Sequence, residues 1–148
     1  MRFRYLGSAL LLALSLSMAA PAKADTAIGA GVFLPGDGSS SLGVLGSYNL
    51  FSVPAVPLKL QLSAGAPFGP GGRFAVTLET EYETSKFFLG GGAGGGKMKS
   101  QGGTPDAMYD LFAGVRLLPL ISLQARYYGS GSSNTGNATY LGLSFGVK

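Results

Sequence analysis

Phe74-Ala75-Val76-Thr77-Leu78-Glu79-Thr80-Glu81-Tyr82 decides the fold. Side chains of an extended strand point alternately to opposite faces. Phe74, Val76, Leu78, Thr80 and Tyr82 therefore share one face, and Arg73, Ala75, Thr77, Glu79 and Glu81 share the other. Leu58 to Ala64 sorts the same way, with Leu58, Leu60, Leu62 and Ala64 opposite Lys59, Gln61 and Ser63. Further along, Leu111, Ala113, Val115 and Leu117 alternate with Asp110, Phe112, Gly114 and Arg116. Ile121, Leu123, Ala125 and Tyr127 alternate with Ser122, Gln124, Arg126 and Tyr128, and Leu141, Leu143, Phe145 and Val147 with Tyr140, Gly142, Ser144 and Gly146. Every charge in these five stretches lies on the second face.

Outward from these five, the pattern extends to eight segments: Thr26 to Leu34, Leu42 to Phe51, Pro57 to Gly65, Gly72 to Tyr82, Lys86 to Gly95, Met108 to Leu117, Ile121 to Gly129 and Thr139 to Val147. A strand tilted through hydrocarbon needs about nine to eleven residues, against about five or six for an ordinary soluble strand. Length and alternation together predict an all-β fold, an eight-stranded antiparallel up-and-down transmembrane β-barrel with the charged face inside. Three strands are less decisive. Ile28, Ala30, Val32 and Leu34 oppose Gly29, Gly31 and Phe33. In the second strand Leu42, Val44, Tyr48 and Leu50 compete with Leu45 and Phe51, and Phe87-Phe88-Leu89 followed by glycines has no clear parity.

The connections alternate in character. The first, third, fifth and seventh (35–41, 66–71, 96–107 and 130–138) are rich in glycine and polar residues, and the second, fourth and sixth (52–56, 83–85 and 118–120) are mostly shorter. Long outer loops and short periplasmic turns are the pattern of an outer-membrane barrel. Nine aromatics, Tyr48, Phe51, Tyr82, Phe87, Phe88, Tyr109, Tyr127, Tyr128 and Tyr140, fall near strand ends, where interfacial girdles belong.

The N-terminus reads as an export signal over residues 1–24: Arg2 and Arg4, the apolar Leu10 to Leu16, and the cleavage site Ala22-Lys23-Ala24. Residues 25–148 then form the barrel domain, of about 124 residues. The signal removes three of eleven basic residues, leaving eight against seven acids. That near balance, without a basic run, argues against a nucleic-acid partner. The exported chain has no cysteine and no disulfide to hold it, so stability must come from packing or lipid.

Lys59, Glu79, Glu81, Arg116 and Arg126 fall on the inner face, near Gln61, Gln124 and Tyr128 in the pattern. Buried ions persist when paired, so a charge network filling the lumen is expected, structural or gating. Glu79 and Glu81 could be read as a glycosidase pair, but nearby basic residues leave no general acid. Gly91 to Lys97 imitates a phosphate loop, yet Met98 stands where Ser or Thr should be, and the following residues cannot open a helix. No histidine or cysteine is present, which excludes Ser-His and Cys-His catalysis and the usual zinc sites. Asp37, Asp106 and Asp110 are isolated in sequence from further acids and make no calcium loop. No cofactor, metal or catalytic residue is expected, and the chain is not read as an enzyme.

Phe112 to Tyr128, a Gly-Val strand, a short Pro-containing turn and a basic strand ending in Tyr127-Tyr128, resembles a hairpin of the OmpA-like small outer-membrane β-barrels. Tyr140-Leu141-Gly142-Leu143-Ser144-Phe145-Gly146-Val147 is similar to the closing strand of that superfamily, and the resemblance runs over the whole mature chain. Such barrels commonly finish on an aromatic residue, whereas this sequence finishes at Lys148. The resemblance implies outer-membrane localisation, outer-membrane lipid as surroundings, and extracellular or envelope components as partners of the odd-numbered loops. Three functions stay open: a structural or surface-interaction barrel with a filled lumen, a narrow solute or ion conduit, and a secreted or periplasmic soluble β-sandwich that binds a ligand through Gly- and Ser-rich loops.

Overall fold

A computed structural model describes residues 26–38, 40–53, 55–99 and 102–147. The export signal of residues 1–24, the start at Asp25 and Lys148 lie outside the described residues. Eight strands follow in order: β1 (Thr26–Pro35), β2 (Ser41–Ser52), β3 (Leu58–Pro67), β4 (Phe74–Glu83), β5 (Phe87–Lys97), β6 (Asp106–Leu118), β7 (Ile121–Ser130) and β8 (Ala138–Val147). Each pairs antiparallel with its sequence neighbours, and β8 closes on β1. Closure leaves no unpaired strand edge. It also excludes the two-sheet sandwich that the apolar stripes allowed.

The alternation sets the two surfaces. Leu78, Leu111, Leu117, Leu123, Leu141 and Phe145 are exposed on the outside, while Thr77, Glu79, Asp110, Gln124 and Arg126 are buried inside. Strand β1 follows the expected parity, with Ile28, Val32 and Leu34 outward and Phe33 buried. In β5 Phe88 points in, and Phe87 and Leu89 point out.

The competing faces of β2 have a specific cause. Asn49 pairs with Gln61 but Phe51 pairs with Leu60, so Leu50 is the extra residue of a bulge. A bulge advances the chain by one residue and resets the alternation. Leu50 and Phe51 are thus both outward, whereas Leu45, before the bulge, is buried. A second bulge, between Arg116 and Leu118 of β6, leaves Leu117 and Leu118 both outside. Both bulges lie at the end that carries the even-numbered turns.

The glycines of β5 allow close strand approach. A Cβ on Gly92 would lie 2.8 Å from the Glu79 Cα and against the Leu78 carbonyl, and one on Gly94 would meet Thr77 and the Val76 carbonyl. The apparent phosphate loop is therefore the inner seam of a strand. No helix in the described chain is long and apolar enough to cross a membrane, which says nothing of crossing by strands.

The aromatic girdle needs correction. Tyr82 tilts against Phe87 (ring centroids 6.4 Å) at one end, and Tyr109 against Tyr127 (6.1 Å) at the other. Phe88, Tyr128 and Tyr140, however, are buried in the lumen. Their inward parity overrides their position near strand ends.

Candidate functional site

The lumen is filled in layers. Toward the end with the longer connections, Phe33, Leu45, Met98, Met108, Tyr128 and Tyr140 form an apolar cluster with Ala75 and Ala138. The Phe33 ring stacks on Tyr128 (6.3 Å) and tilts against Tyr140 (4.9 Å).

Next to this cluster sits a buried ionic centre. Arg126 of β7 pairs with Glu79 of β4 and with Asp110 of β6. Gly92 of β5 lies between the two acids in register. The Thr77 hydroxyl lies 2.9 Å from Glu79 Oε1 and 3.1 Å from Asp110 Oδ2. Gln61 Nε2 donates to Glu79 Oε2 (2.7 Å) and Glu81 Oε2 (3.1 Å). With its amide oriented to suit its neighbours, Gln124 accepts from Arg126 Nε (3.0 Å) and Nη2 (2.9 Å). The guanidinium also lies over the Phe112 ring, 4.2 Å from its centroid. Glu79 and Asp110 are 0% exposed and Arg126 is 2% exposed. Such burial requires that each ion be compensated by partners rather than by water.

A second ionic group opens toward the shorter turns. Lys59 Nζ lies 3.2 Å from Glu81 Oε1 and 2.9 Å from Glu83 Oε2, and Arg116 Nη2 pairs with Glu83 Oε1. Lys59, Glu83 and Arg116 are partly exposed at a cavity of about 730 Å³, whereas Glu81 is buried.

The five charges of the inner face fall in two groups rather than one network: Glu79 and Arg126 inside, and Lys59 and Arg116 at the mouth, with Glu81 linked to the first through Gln61 and to the second through Lys59. Two members escaped the sequence reading. Asp110 is isolated in sequence, yet antiparallel pairing of β4, β5 and β6 brings it beside Glu79; its inward parity was the available signal. Glu83 falls in the fourth connection by sequence pattern, but it ends β4 and bridges Lys59 and Arg116. Among the described residues no group of three or more carboxylates, histidines or cysteines could hold a metal ion.

The connections at the opposite end are tied together. Met98 N (2.8 Å) and Lys99 N (2.9 Å) both donate to Thr135 O, Thr104 N donates to Asn134 O (3.0 Å), and the Thr135 hydroxyl donates to Thr104 O (3.1 Å). Gly36 N donates to Asn137 O (3.1 Å), joining the first connection to the seventh.

A closed eight-stranded antiparallel barrel, apolar outside and ion-paired inside, has the architecture of the small transmembrane β-barrels. Solved structures bear this out at the level of fold. The chain is similar to Neisserial surface protein A (14% identity, 84% of this chain and 95% of that one, TM-score 0.53). It is similar to the N-terminal β-barrel domain of Pseudomonas aeruginosa OprF (17%, 83% and 97%, TM-score 0.54) and to a transmembrane β-barrel designed de novo (15%, 83% and 95%, TM-score 0.53). The OmpA-like resemblance is thus matched in architecture. No protein-family model and no curated protein sequence matches the chain.

Proposed function

We propose that the chain is an outer-membrane barrel with a structural or surface-interaction role, not a conduit and not an enzyme. The observation that carries this reading is the pairing of an apolar exterior with an interior whose central ions, Glu79, Asp110 and Arg126, are shut away from solvent. A lipid-exposed band of Leu, Val and Phe suits hydrocarbon, while a small barrel has room inside for side chains and little else. Residues 1–24 are an export signal in this account, and Asp25 begins the mature chain. Both chain ends of the barrel and the turns 53–57, 84–86 and 119–120 face the periplasm. The connections 36–40, 68–73, 98–105 and 131–137 face outward, and three of them form the tied cap. Extracellular or envelope components meet the protein there, on a surface held by backbone hydrogen bonds.

Planar-bilayer recording on the purified, refolded chain tests the sealed lumen. The expected result is no reproducible conductance from the wild type. Steps of defined size that change with Arg126→Ala would establish a conduit in its place. Protease treatment of intact cells tests the orientation: cleavage should fall within 98–105 or 131–137 and spare 84–86.

A further inference from the structure

We propose that the cavity at the end with the short turns binds a carboxylate carried on an apolar body, with Arg116 taking the anion. The cavity is about 730 Å³, within the roughly 300–1,000 Å³ usual for small-molecule sites. It lies at the mouth of the lumen, among the β2–β3, β4–β5 and β6–β7 turns. Its polar floor is Lys59, Glu83 and Arg116, and Val56, Leu58, Leu117 and Leu118 contribute apolar wall. Concave sites that join an apolar lining to a few convergent polar groups are those that hold small ligands.

The ligand class follows from the donors. Glu83 engages both cations, through Oε2 to Lys59 and Oε1 to Arg116. Arg116 Nε is buried and has no hydrogen-bond partner among the described residues. A guanidinium presents its N–H groups as a planar fork suited to a carboxylate. The Arg116 side chain is otherwise partly exposed, and a small turn of its guanidinium would offer that Nε–H to a single carboxylate while Lys59 keeps its bond to Glu83. A doubly charged phosphate would instead face the Glu83 charge with no second unengaged cation. The apolar wall has its own local cause, the β6 bulge, which sets Leu117 and Leu118 side by side at the rim. The site stands on this geometry alone, independent of the surface role proposed above.

The test uses the signal-free chain in phospholipid nanodiscs, observed through the ¹⁵N resonances of the arginine side chains and the backbone amides. Three probes are titrated: N-acetylleucine, N-acetylleucinamide and inorganic phosphate. N-acetylleucine should give saturable shifts at the Arg116 Nε–H and at the Thr84 and Ser85 amides. The amide probe should bind at least about tenfold more weakly, as expected for loss of a charge-assisted hydrogen bond. Arg116→Gln should abolish the response. Leu118→Ser, which touches no ion pair, should weaken N-acetylleucine severalfold and keeps the test decisive if the arginine variant does not fold. No saturable shift, an equal response to the amide, or an equal response to phosphate would each overturn the assignment.

Discussion

Replacing Arg126 by Met should be the most damaging change in the lumen, and replacing Asp110 by Asn among the mildest. Arg126 is the only cation in direct contact with Glu79 and Asp110 among the described residues, and all three are buried. Methionine fills much of the volume over Phe112 but leaves two carboxyl groups facing each other without a countercharge. Removing one partner of a buried pair costs about 3–5 kcal/mol. With a urea slope of about 1.5 kcal/mol per molar, the unfolding midpoint should fall by roughly 2–3 M. Asp110→Asn is different because Asp110 Oδ1 has no hydrogen-bond partner among the described residues, while Oδ2 meets Arg126 and Thr77. An asparagine oxygen can keep the Oδ2 contacts, and its NH₂ takes the place of an oxygen that bonds nothing. The cluster also changes from two acids and one base to one of each. Its stability should stay within about 1 kcal/mol of wild type. Equilibrium unfolding of the vesicle-inserted barrel, followed by far-ultraviolet circular dichroism and by gel mobility without boiling, measures both. An Arg126→Met barrel as stable as wild type, or an Asp110→Asn barrel destabilised as much as Arg126→Met, would refute the claim that this arginine neutralises the lumen.

Three further outcomes follow from the same geometry. Gly92→Val should give no folded species on an unboiled gel, because its Cβ would stand 2.8 Å from the Glu79 Cα and closer still to the Leu78 carbonyl. Leu78→Arg, on the outer face near the middle of β4, should cost about 2–4 kcal/mol in lipid vesicles, read as a lowered urea midpoint. Thr135→Val removes the hydroxyl bond to Thr104 O while sparing the backbone bonds, so limited proteolysis should cut 98–105 or 131–137 faster with little change in global stability.

The barrel was legible because its physics is local. Alternation along β3, β4, β6, β7 and β8 fixes which side chains face lipid, and the expected strand ends differ from the observed ones by only a residue or two at most positions. What was not legible depends on pairing. The bulge at Leu50 cannot be seen until β2 is set against β3, so Leu45 and Phe51, of one parity, look like a second apolar face competing with Leu42, Val44, Tyr48 and Leu50, whereas Leu45 is inside and Phe51, beyond the bulge, is outside. Asp110 looked solitary because its partner is 31 residues away in sequence and is reached across a strand of glycines. Glu83 looked like turn because the β4 ladder runs one residue beyond the Tyr82 boundary. Parity alone also assigns Tyr128 and Tyr140 to the lumen, which the expectation of an interfacial girdle obscured. The charges were thus identifiable by face, and their partners only by register.

The central claim is that this chain folds as a membrane-inserted barrel of the outer membrane. The most direct measurement is fractionation of expressing cells, followed by gel mobility of the boiled and unboiled protein. Recovery in the outer-membrane fraction with a heat-dependent mobility shift is the predicted result. A soluble protein in the periplasm or medium, with the same mobility before and after boiling, would contradict it.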